Sequence, residues 1–466
     1  MIERIARTEM YLRVQSTFFI IVGALIASSI AAFETSTNQA LSSAAAAFGC
    51  TLIIAFAIEA RAGVRNLFRV DIFMFVVLYG LTLSEFLAEQ DDLSHRMTVD
   101  EARFAIDVVL FAFCGLALGR HAYKMYAGQL LPGAPVGLTP SQMTSLFVAC
   151  AAIGYLHILI AVNFDIFEAI RQMLLPRFSQ SWSRGRIGGL DALLSELGLL
   201  IYLLPPLAGA IAAESRRYSM IQKIVVGAII SFTFFYGLSG GTRYIFLTYL
   251  ITFGASYLMM RRNLTWSSLV WVGAPFASIA LLAIYFMAAI RTYGLQNWSE
   301  GVQSTERFFV DMNILNIAGL IWAFPDQYDY LWLEVPYIAF IRPIPRVLWP
   351  GKPEGLSASI EDVLGAEGLT LSATYIGEFW MAGGLFAVIV ASLCLGAAAA
   401  AWNRVGAKAQ GNLDQILFAS GFFAAGLCMR SFLGVMPAVL PTLALYLFRR
   451  WHLKFRVRPR VRPRNS

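Results

Sequence analysis

Long uninterrupted apolar runs dominate this chain, and they limit what it can fold into. Each run is long enough to cross a bilayer as a helix, which takes about 17–25 residues, and a helix satisfies its own backbone inside lipid. Of the 466 residues, 58% are hydrophobic and only 14% are charged, too few charges for soluble domains of this length. The sequence therefore predicts an all-α polytopic membrane protein, with one transmembrane domain over residues 1–448 and a basic tail over 449–466.

The apolar runs predict about twelve transmembrane helices by the length criterion. Charged residues collect in the connections between the runs. The five cysteines lie inside the runs and form no CxxC pair, so they predict neither a disulfide framework nor a zinc site. The predicted helices are Ser16–Ala32, Ala40–Ala60, Val70–Leu87, Phe104–Gly119, Met143–Val162, Leu190–Ala213, Ile224–Leu238, Tyr244–Met260, Trp266–Ala289, Leu371–Ala401, Asp414–Met429 and Val435–Phe448.

The distribution of Lys and Arg predicts which helix ends face the cytoplasm. Cytoplasmic connections are enriched in both residues, and here the enrichment follows every second run and includes both terminal segments. Both termini are therefore predicted to be cytoplasmic, with the chain in a bacterial inner membrane. This topology accounts for most of the net charge of +7 without a nucleic-acid partner. The cytoplasmic connections carry Arg61, Arg65, Arg69, Arg120, Lys124, Arg216, Arg217, Lys223, Arg261, Arg262, Arg404 and Lys408.

Two long connections, 164–189 and 290–370, are predicted to be periplasmic loops. Within the second, Phe308–Phe324 is apolar but also contains Asp311 and Asn313. A full crossing there would carry the Arg-rich C-terminal segment into the periplasm, against the positive-inside rule. We therefore predict a re-entrant or interfacial helix in this stretch.

The predicted periplasmic loops contain more basic residues than the positive-inside rule favours. Such loops resist translocation, so their charge needs a reason. An anionic ligand is one, because a guanidinium group matches two phosphate oxygens at once; contacts with acidic lipid or with loop carboxylates are the alternative. The basic residues are Arg171, Arg177, Arg184, Arg186, Arg291, Arg307, Arg342, Arg346 and Lys352 in the loops, with Arg243 and Arg430 at helix ends.

Two glycine-containing motifs mark the same predicted face. In SGGTR (239–243), glycines precede a helix start, so Arg243 belongs either to a phosphate seat at that helix N-terminus or to a tight hairpin whose arginine reaches the interface. In TYIGEFWMAGG (374–384), a helix opens with Glu378 in its first turns. A carboxylate there is expected to be either ion-paired or used in chemistry. Glu196 in Leu190–Ala213 and Glu85 in Val70–Leu87 are similar but weaker candidates.

The motif PIPRVLWPGKP (343–353) contains four prolines. Prolines lack the backbone donor and fix φ, so we predict a stiff, extended loop and neither helix nor ladder strand. The loop would hold Arg346, Lys352 and Trp349 in place, with the indole against a sugar ring or the membrane interface. The alternative is a structural cap over the bundle.

Familiar metal and nucleotide motifs are missing from the sequence. It contains no HExxH, DxD or P-loop motif, and its four histidines all lie outside 290–370. Metal-dependent sugar-nucleotide chemistry and ATP-driven work are therefore unsupported. We expect no cofactor and no metal.

The succession of SGGTRYIFLTYL, FIRPIPRVLWPGKP and TYIGEFWMAGG resembles the C-terminal half of the Wzy-type O-antigen and exopolysaccharide polymerases. Over residues 1–220 the resemblance is one of topology. Members of that family have a large periplasmic loop late in the chain and a fold like that of the GT-C glycosyltransferases. The resemblance thus implies a GT-C-like enzyme that joins polyprenyl-diphosphate-linked oligosaccharide repeat units into O-antigen, capsule or exopolysaccharide on the periplasmic face.

The resemblance also implies roles for the candidate residues. Arginines would stabilise the departing lipid diphosphate without a metal, and a carboxylate or histidine would deprotonate the acceptor hydroxyl. Besides substrate, the expected partners are membrane lipids, a chain-length regulator and a flippase, and no nucleic acid. The expected catalytic residues are Glu378, Arg243 and Arg346, and the substrate-binding residues are Arg342, Arg430, Arg291, Lys352, Trp349, Arg177, Arg184 and Arg186.

Two other functions stay open at this point. An O-antigen ligase is the nearest enzyme alternative, but ligases of that type place a key histidine in the large periplasmic loop, and 290–370 contains none. A flippase or transporter of lipid-linked oligosaccharide is the alternative without chemistry. Transporters are commonly built from two related halves, and no internal repeat stands out in this sequence.

Overall fold

The computed structural model of the protein describes residues 12–122, 135–182, 196–261, 264–299, 311–346, 348–366 and 371–456. Every regular element in these ranges is helical. Nine helices within the same ranges are long and apolar enough to cross a membrane, and shorter apolar helices lie at Val70–Thr82, Gly198–Ala213 and Asn313–Ala323. The protein is therefore an all-α polytopic membrane protein, as the apolar runs predict.

The α-helices are numbered here in chain order, and short 3₁₀ helices at Ser84–Leu87, Arg177–Ser179 and Phe432–Gly434 lie between some of them. The α-helices are α1 (Val14–Phe33), α2 (Thr37–Ala60), α3 (Val70–Thr82), α4 (Val99–Gly119), α5 (Pro140–Gly154), α6 (Leu156–Ala161), α7 (Ile166–Met173), α8 (Leu204–Ala213), α9 (Met220–Ser239), α10 (Arg243–Met260), α11 (Trp266–Tyr293), α12 (Asn313–Ala323), α13 (Glu334–Ile341), α14 (Ile360–Val363), α15 (Thr374–Lys408), α16 (Asn412–Arg430) and α17 (Val435–Arg456).

Capping residues set the starts of three helices. The hydroxyl groups of Thr98, Thr139 and Ser219 accept hydrogen bonds from backbone amides in the first turns of α4, α5 and α9, and a side chain three residues on returns the bond. These capping boxes satisfy amides that a helix start leaves without partners. Each of the three helices begins earlier than the sequence predicts, because its first turn is polar and the apolar run starts only afterwards.

Glycines let α4 and α15 pack backbone against backbone. A Cβ atom on Gly119 would collide with the carbonyl of Leu393, and one on Gly396 with the carbonyl of Leu116. A Cβ on Gly115 would lie 2.6 Å from Cβ of Ser392. Small residues at helix interfaces allow this close approach in membrane proteins. The contacts also show that α4 and residues 385–408 run parallel.

Helix α15 folds back on itself at a pair of glycines. Gly383 and Gly384 leave the helical conformation, with φ 177° and ψ 36° at the first and φ 60° and ψ −152° at the second. The hydroxyl oxygens of Tyr375 and Ser392 lie 2.9 Å apart, although 17 residues of continuous helix would separate them by about 25 Å. Residues 374–382 therefore form a short arm that runs antiparallel to the rest of α15.

The fold-back corrects the predicted continuous span Leu371–Ala401. The backbone carbonyls at the break accept hydrogen bonds from another segment of the chain. Leu331 N–H donates to the carbonyl of Met381, and Trp332 N–H to that of Ala382, each at 2.8 Å. A carbonyl left without a partner inside a membrane costs several kcal/mol. The two hydrogen bonds therefore stabilise the break.

Helix α12 lies beside the short arm. A Cβ on Gly377 would lie 2.9 Å from the side chain of Leu320, and the Trp380 indole N–H donates to the carbonyl of Phe324 at 3.4 Å. With 11 residues, α12 is about 16 Å long, too short for a hydrocarbon core of about 30 Å. This agrees with the prediction that Phe308–Phe324 does not cross, for the part of that stretch that the structure describes.

Both elements begin inside the bundle. Ser372, just before the short arm, donates from Oγ to the carbonyl of Arg430 at 3.4 Å, and Asn316 of α12 donates from Nδ2 to the carbonyl of Ser372 at 2.7 Å. Tyr375 contacts Ser392 roughly two helical turns away from the glycine pair, a distance of about 12 Å along the helix. Ser372, and with it the end of α16, therefore lies about 12 Å further into the bundle than the glycine turn. Arg430 is therefore recessed.

A set of buried ion pairs lies at the opposite ends of the same helices, and we call it the paired network. Arg69 donates to both oxygens of Asp71, from Nε at 3.0 Å and from Nη2 at 2.5 Å, and from Nη1 to Glu59 at 2.9 Å. Arg120 bridges Asp71 at 3.2 Å and donates to the hydroxyls of α1. Asn403 donates to Asp71 at 2.6 Å. The four charged side chains are 1–3% exposed.

The C-terminal helix continues beyond Phe448, where the sequence predicts its end. It reaches Arg456, so residues 449–456 belong to α17 and not to a separate basic tail. Arg449 is buried and donates from Nε to Oδ1 of Asp414 at 2.6 Å. Because Asp414 pairs with it, Arg449 can be buried inside the bundle. A prediction from hydropathy alone ends the helix before this arginine.

Candidate functional site

The SGGTR turn brings two loop arginines to the start of α10. Gly241 has φ 57°, and a Cβ there would lie 2.5 Å from Cα of Arg291. A glycine is required because the turn presses directly on the end of α11. Arg177 donates from Nη1 to the Thr242 hydroxyl at 2.6 Å. The five-residue turn SGGTR thus brings together three of the predicted site arginines, Arg177, Arg243 and Arg291.

Arg430 approaches the same turn from the end of α16. Asp311 lies between the two helix-end arginines, with Oδ1 3.9 Å from Nη1 of Arg243 and Oδ2 3.7 Å from Nη2 of Arg430. The Arg430 guanidinium lies over the ring of Tyr244, 4.7 Å from its centroid. Arg177 and Arg291 each lie 5.6 Å from the centroid of Phe178. Stacking on aromatic faces orients guanidinium groups.

We call this set the arginine cluster: Arg177, Arg243, Arg291 and Arg430 with Asp311 and Glu85. Glu85 is buried in the 3₁₀ turn after α3 and interacts electrostatically with Arg243. The side chains of Arg243, Arg430 and Asp311 are 17%, 24% and 36% exposed. The cluster is therefore partly open, unlike the paired network.

Three helices begin at the cluster. Helix α10 begins at Arg243, α12 begins two residues after Asp311, and the short arm begins beside the carbonyl of Arg430 through Ser372. Each helix N-terminus carries a partial positive charge and unsatisfied N–H groups. The C-terminal ends of α9, α11 and α16 reach the same place with the opposite partial charge, so the preference of the site for an anion rests on its arginines.

Glu378 holds the segment that follows Arg430. Its carboxylate is 3% exposed and accepts three hydrogen bonds: from the Ser431 hydroxyl at 2.5 Å, from the Phe432 amide at 2.5 Å and from the Leu433 amide at 3.2 Å. These bonds cap the 3₁₀ turn between α16 and α17. The geometry favours a positioning role for Glu378 over the catalytic one expected from the sequence, because its acceptor sites are directed at the backbone.

The proline motif forms a separate basic group. Arg346 pairs with Glu354 at 2.8 Å, and Lys352 donates from Nζ to the carbonyls of Arg342 and Ile344 at 2.8 and 2.9 Å. Partial burial, together with the nearby Arg346 charge, lowers the pKa of Lys352. These bonds wrap the segment around the ammonium group.

The wrapped conformation differs from the stiff extended loop that the prolines predict. The amides of Leu348 and Trp349 donate to the carbonyl of Pro345, and the Lys352 amide to that of Trp349, so the segment is a series of tight turns. Proline sets φ near −65°, a value that turns also use. Trp349 packs within this segment, near Gly351.

The predicted site residues thus divide into two groups. The first group is the arginine cluster, with Arg177, Arg243, Arg291 and Arg430. The second belongs to residues 343–353, which we call the proline segment, and consists of Arg346, Lys352 and Trp349. Arg342 lies near both this segment and the Glu378 carboxylate. The remaining two predicted residues, Arg184 and Arg186, lie outside the described residues.

Sequence reasoning named Glu85 as a weaker candidate than Glu378 and did not name Asp311 as one, and it placed neither residue among the arginines of the cluster. Both are carboxylates in or beside an apolar segment, which is the usual mark of an intramembrane functional residue. That signal was visible, but it did not identify their arginine partners, which lie far away along the chain.

Comparison of the chain with models of protein families, with curated proteins and with solved structures found no match. The resemblance carried by the three motifs therefore stays a prediction. The properties of the site that bear on function are its excess of arginines among the described residues and its recessed position.

Proposed function

We propose that the protein is a glycosyltransferase that joins polyprenyl-diphosphate-linked oligosaccharide repeat units into a polysaccharide. The observation that carries the proposal is the arginine cluster. Among the residues that the structure describes, four guanidinium groups meet two carboxylates there, an excess of two positive charges. A diphosphate diester carries two negative charges, and arginine is the side chain best suited to bind its oxygens.

The recessed position supports a lipid-linked substrate over a soluble one. The cluster lies about 12 Å below the glycine turn of α15, among apolar helices whose outer faces suit lipid. A polyprenyl chain can remain in the bilayer while its diphosphate reaches this depth. A soluble sugar nucleotide would have to bring its charge there without such an anchor.

The proposed reaction is a transfer at the anomeric carbon of the donor glycan. The bond between that carbon and the diphosphate oxygen breaks, and the electron pair leaves with the lipid diphosphate. A hydroxyl oxygen of the second lipid-linked repeat unit forms the new glycosidic bond, and its proton passes to a carboxylate. Arg243 and Arg430 stabilise the charge of the leaving group, and Glu85 is the carboxylate of the cluster nearest to them after Asp311.

Glu378 acts in this proposal through Arg430. By capping the turn at Ser431–Leu433 it fixes where α16 ends, and hence where the guanidinium of its last residue lies. In this proposal Arg342, which lies near Glu378, and Lys352, which is hydrogen-bonded to the carbonyl of Arg342, bind the second lipid-linked unit. Two basic groups separated by one anchored turn fit a reaction with two anionic substrates.

The proposed topology has twelve crossings, with the cluster on the periplasmic face and both termini in the cytoplasm of a bacterial inner membrane. It adds to the nine longer apolar helices the segment Gly198–Ala213, helix α10, and α3 together with the 3₁₀ helices that extend it at Val64–Phe68 and Ser84–Leu87. Reporter fusions test it: we expect a periplasmic signal at Gly355 and a cytoplasmic signal at Arg404. The opposite result at either position would contradict the placement of the site.

The activity can be tested with substrate from the cell that makes the protein. A strain that lacks the gene should accumulate single lipid-linked repeat units and lose the long polymer. Those units, mixed with the purified protein in nanodiscs, should yield a ladder of longer glycans and free lipid diphosphate. If the units only move across the bilayer of proteoliposomes, without elongation, the protein is a flippase and the polymerase proposal fails.

A further inference from the structure

Asp311 occupies the position between the two helix-end arginines. Each of its oxygens faces a different guanidinium group, at 3.9 Å from Arg243 and 3.7 Å from Arg430. Both distances exceed the 2.7–3.2 Å of an N–H···O hydrogen bond. The carboxylate therefore compensates the charge of two guanidinium groups but forms a two-pronged hydrogen-bonded contact with neither. An anion that fits better could form such contacts.

The backbone at Asp311 is strained. Its φ is 87° and that of Met312 is 46°, in the left-handed region that residues other than glycine rarely adopt. The strain is maintained on the C-terminal side, where the Met312 amide donates to Oε2 of Glu85 at 3.4 Å and the Asn313 side chain donates to the carbonyl of Leu81 at 2.8 Å. Strain held in this way is characteristic of functional positions.

We propose that Asp311 is a displaceable counter-ion, a carboxylate of the chain that lies between Arg243 and Arg430 until a diphosphate group replaces it. The inference rests on the proposed anion-binding role of the cluster. When the site is empty, the carboxylate compensates arginines that would be unfavourable alone at membrane depth. A diphosphate brings two charges and more acceptor oxygens to the same guanidinium groups, so it outcompetes one carboxylate.

The contrast with Asp71 shows why Asp311 can be displaced. Asp71 is 3% exposed and is held by both nitrogens of the Arg69 fork, by Arg120 and by Asn403. Asp311 is 36% exposed, and its two ion pairs are longer. Exposed ion pairs contribute little stability, so a ligand that replaces Asp311 gives up little.

The counter-ion also predicts which anions the site selects. A phosphodiester headgroup carries one negative charge, as does the carboxylate that it would replace, so the exchange gains little. A diphosphate carries more charge and gains more. Asp311 would therefore discriminate against the phospholipids that surround the protein, which is specificity obtained by competition.

The test measures binding of inorganic pyrophosphate to the full-length protein in phosphatidylcholine nanodiscs. Asp311→Asn removes the charge and keeps a residue that tolerates positive φ, and Asp311→Gly removes the side chain and the strain together. Both variants should bind pyrophosphate about tenfold more tightly than the wild type, the factor that two partly exposed ion pairs can supply. Glu354→Gln, which removes the carboxylate that pairs with Arg346, should leave the affinity unchanged.

The source of the anion is tested by adding phosphatidylglycerol to the nanodiscs. Wild-type affinity for pyrophosphate should not change, whereas Asp311→Asn should lose part of its gain as headgroups compete. Competition by phosphatidylglycerol in the wild type would overturn the selectivity and identify a lipid headgroup as the ligand.

Three results would overturn the counter-ion. They are weaker binding in both Asp311 variants, unchanged binding in both, or the same gain in Glu354→Gln. The polymerase proposal is separable from these outcomes. If pyrophosphate binding follows the expected pattern but wild-type protein elongates no glycan, the counter-ion stands and the proposed reaction fails.

Discussion

The two ends of the helix bundle use arginine in opposite ways. In the paired network, Arg69 and Arg120 contact carboxylates at 2.5–3.5 Å, and the side chains are 1–3% exposed. In the arginine cluster, Arg243 and Arg430 share one carboxylate at 3.7–3.9 Å and are 17% and 24% exposed. The network balances two cations with two carboxylates, whereas the cluster has arginines in excess.

The difference shows how a structural charge can be distinguished from a functional one. A buried charge with every partner in place has no capacity for a ligand, and removing one member leaves the others uncompensated. A partly open charge with a distant partner contributes little to stability but remains available for an anion. The comparison therefore predicts large stability effects at one end and large activity effects at the other.

The largest effect is expected from Arg120→Met in the paired network. The substitution leaves the buried Asp71 and Glu59 with less compensation, which should lower the free energy of unfolding by about 3–5 kcal/mol. Thermal unfolding in detergent measures it. Arg217→Met is the matched control, because Arg217 pairs with Glu214 at 2.7 Å but is 54% exposed; equal losses in the two variants would remove the distinction.

The next effect is expected from Arg430→Lys in the arginine cluster. A lysine keeps the charge but cannot form the two-pronged contact, so glycan elongation should fall by about 10²–10³, as for the loss of one transition-state donor. The unfolding temperature should stay near that of the wild type. Arg346→Lys serves as the control and should elongate normally; near wild-type rates for Arg430→Lys would end the diphosphate proposal.

Glu378→Gln separates positioning from base catalysis. One acceptor oxygen remains, so the capped turn should loosen by about 1–3 kcal/mol and elongation should fall roughly tenfold. The shape of the pH–rate profile should be unchanged, because the proton acceptor is intact. Loss of the acidic limb of that profile would identify Glu378 as the general base after all.

The smallest effect is expected from Arg346→Ala. The pair with Glu354 is 51% and 88% exposed, and such pairs contribute about 0.2–1 kcal/mol. Unfolding temperature and elongation rate should both stay close to those of the wild type. A large loss of activity with normal stability would move Arg346 into the catalytic site and would contradict the division into two groups.

The sequence predicted much of the framework because hydropathy and charge act locally. Most apolar runs became helices, and the arginines of SGGTR and of the α16 end were recognised as candidates. The fold-back at Gly383 and Gly384 was not predicted, since the run stays apolar on both sides of it. Only the donors at Leu331 and Trp332, distant in sequence, make the break favourable.

The site was predicted less completely than the framework, for a related reason. Asp311 was visible as a polar residue in an apolar stretch, but its position between Arg243 and Arg430 depends on the start of α12 and on Glu85. Arg346 has the same composition signal as Arg243, yet its partner Glu354 lies eight residues away in the same segment. A count of charges per loop cannot separate these cases.

The fold-back of α15 has a consequence for how the protein is made. Residues 374–408 are a largely apolar stretch of 35 residues, so we expect the reversal to be a rearrangement that follows insertion. Its hydrogen bonds can be completed only when the amides of Leu331 and Trp332 are in place to donate to the carbonyls of Met381 and Ala382. These donors are synthesised earlier. We therefore expect residues 331–332 to take up their positions before the hairpin of α15 closes.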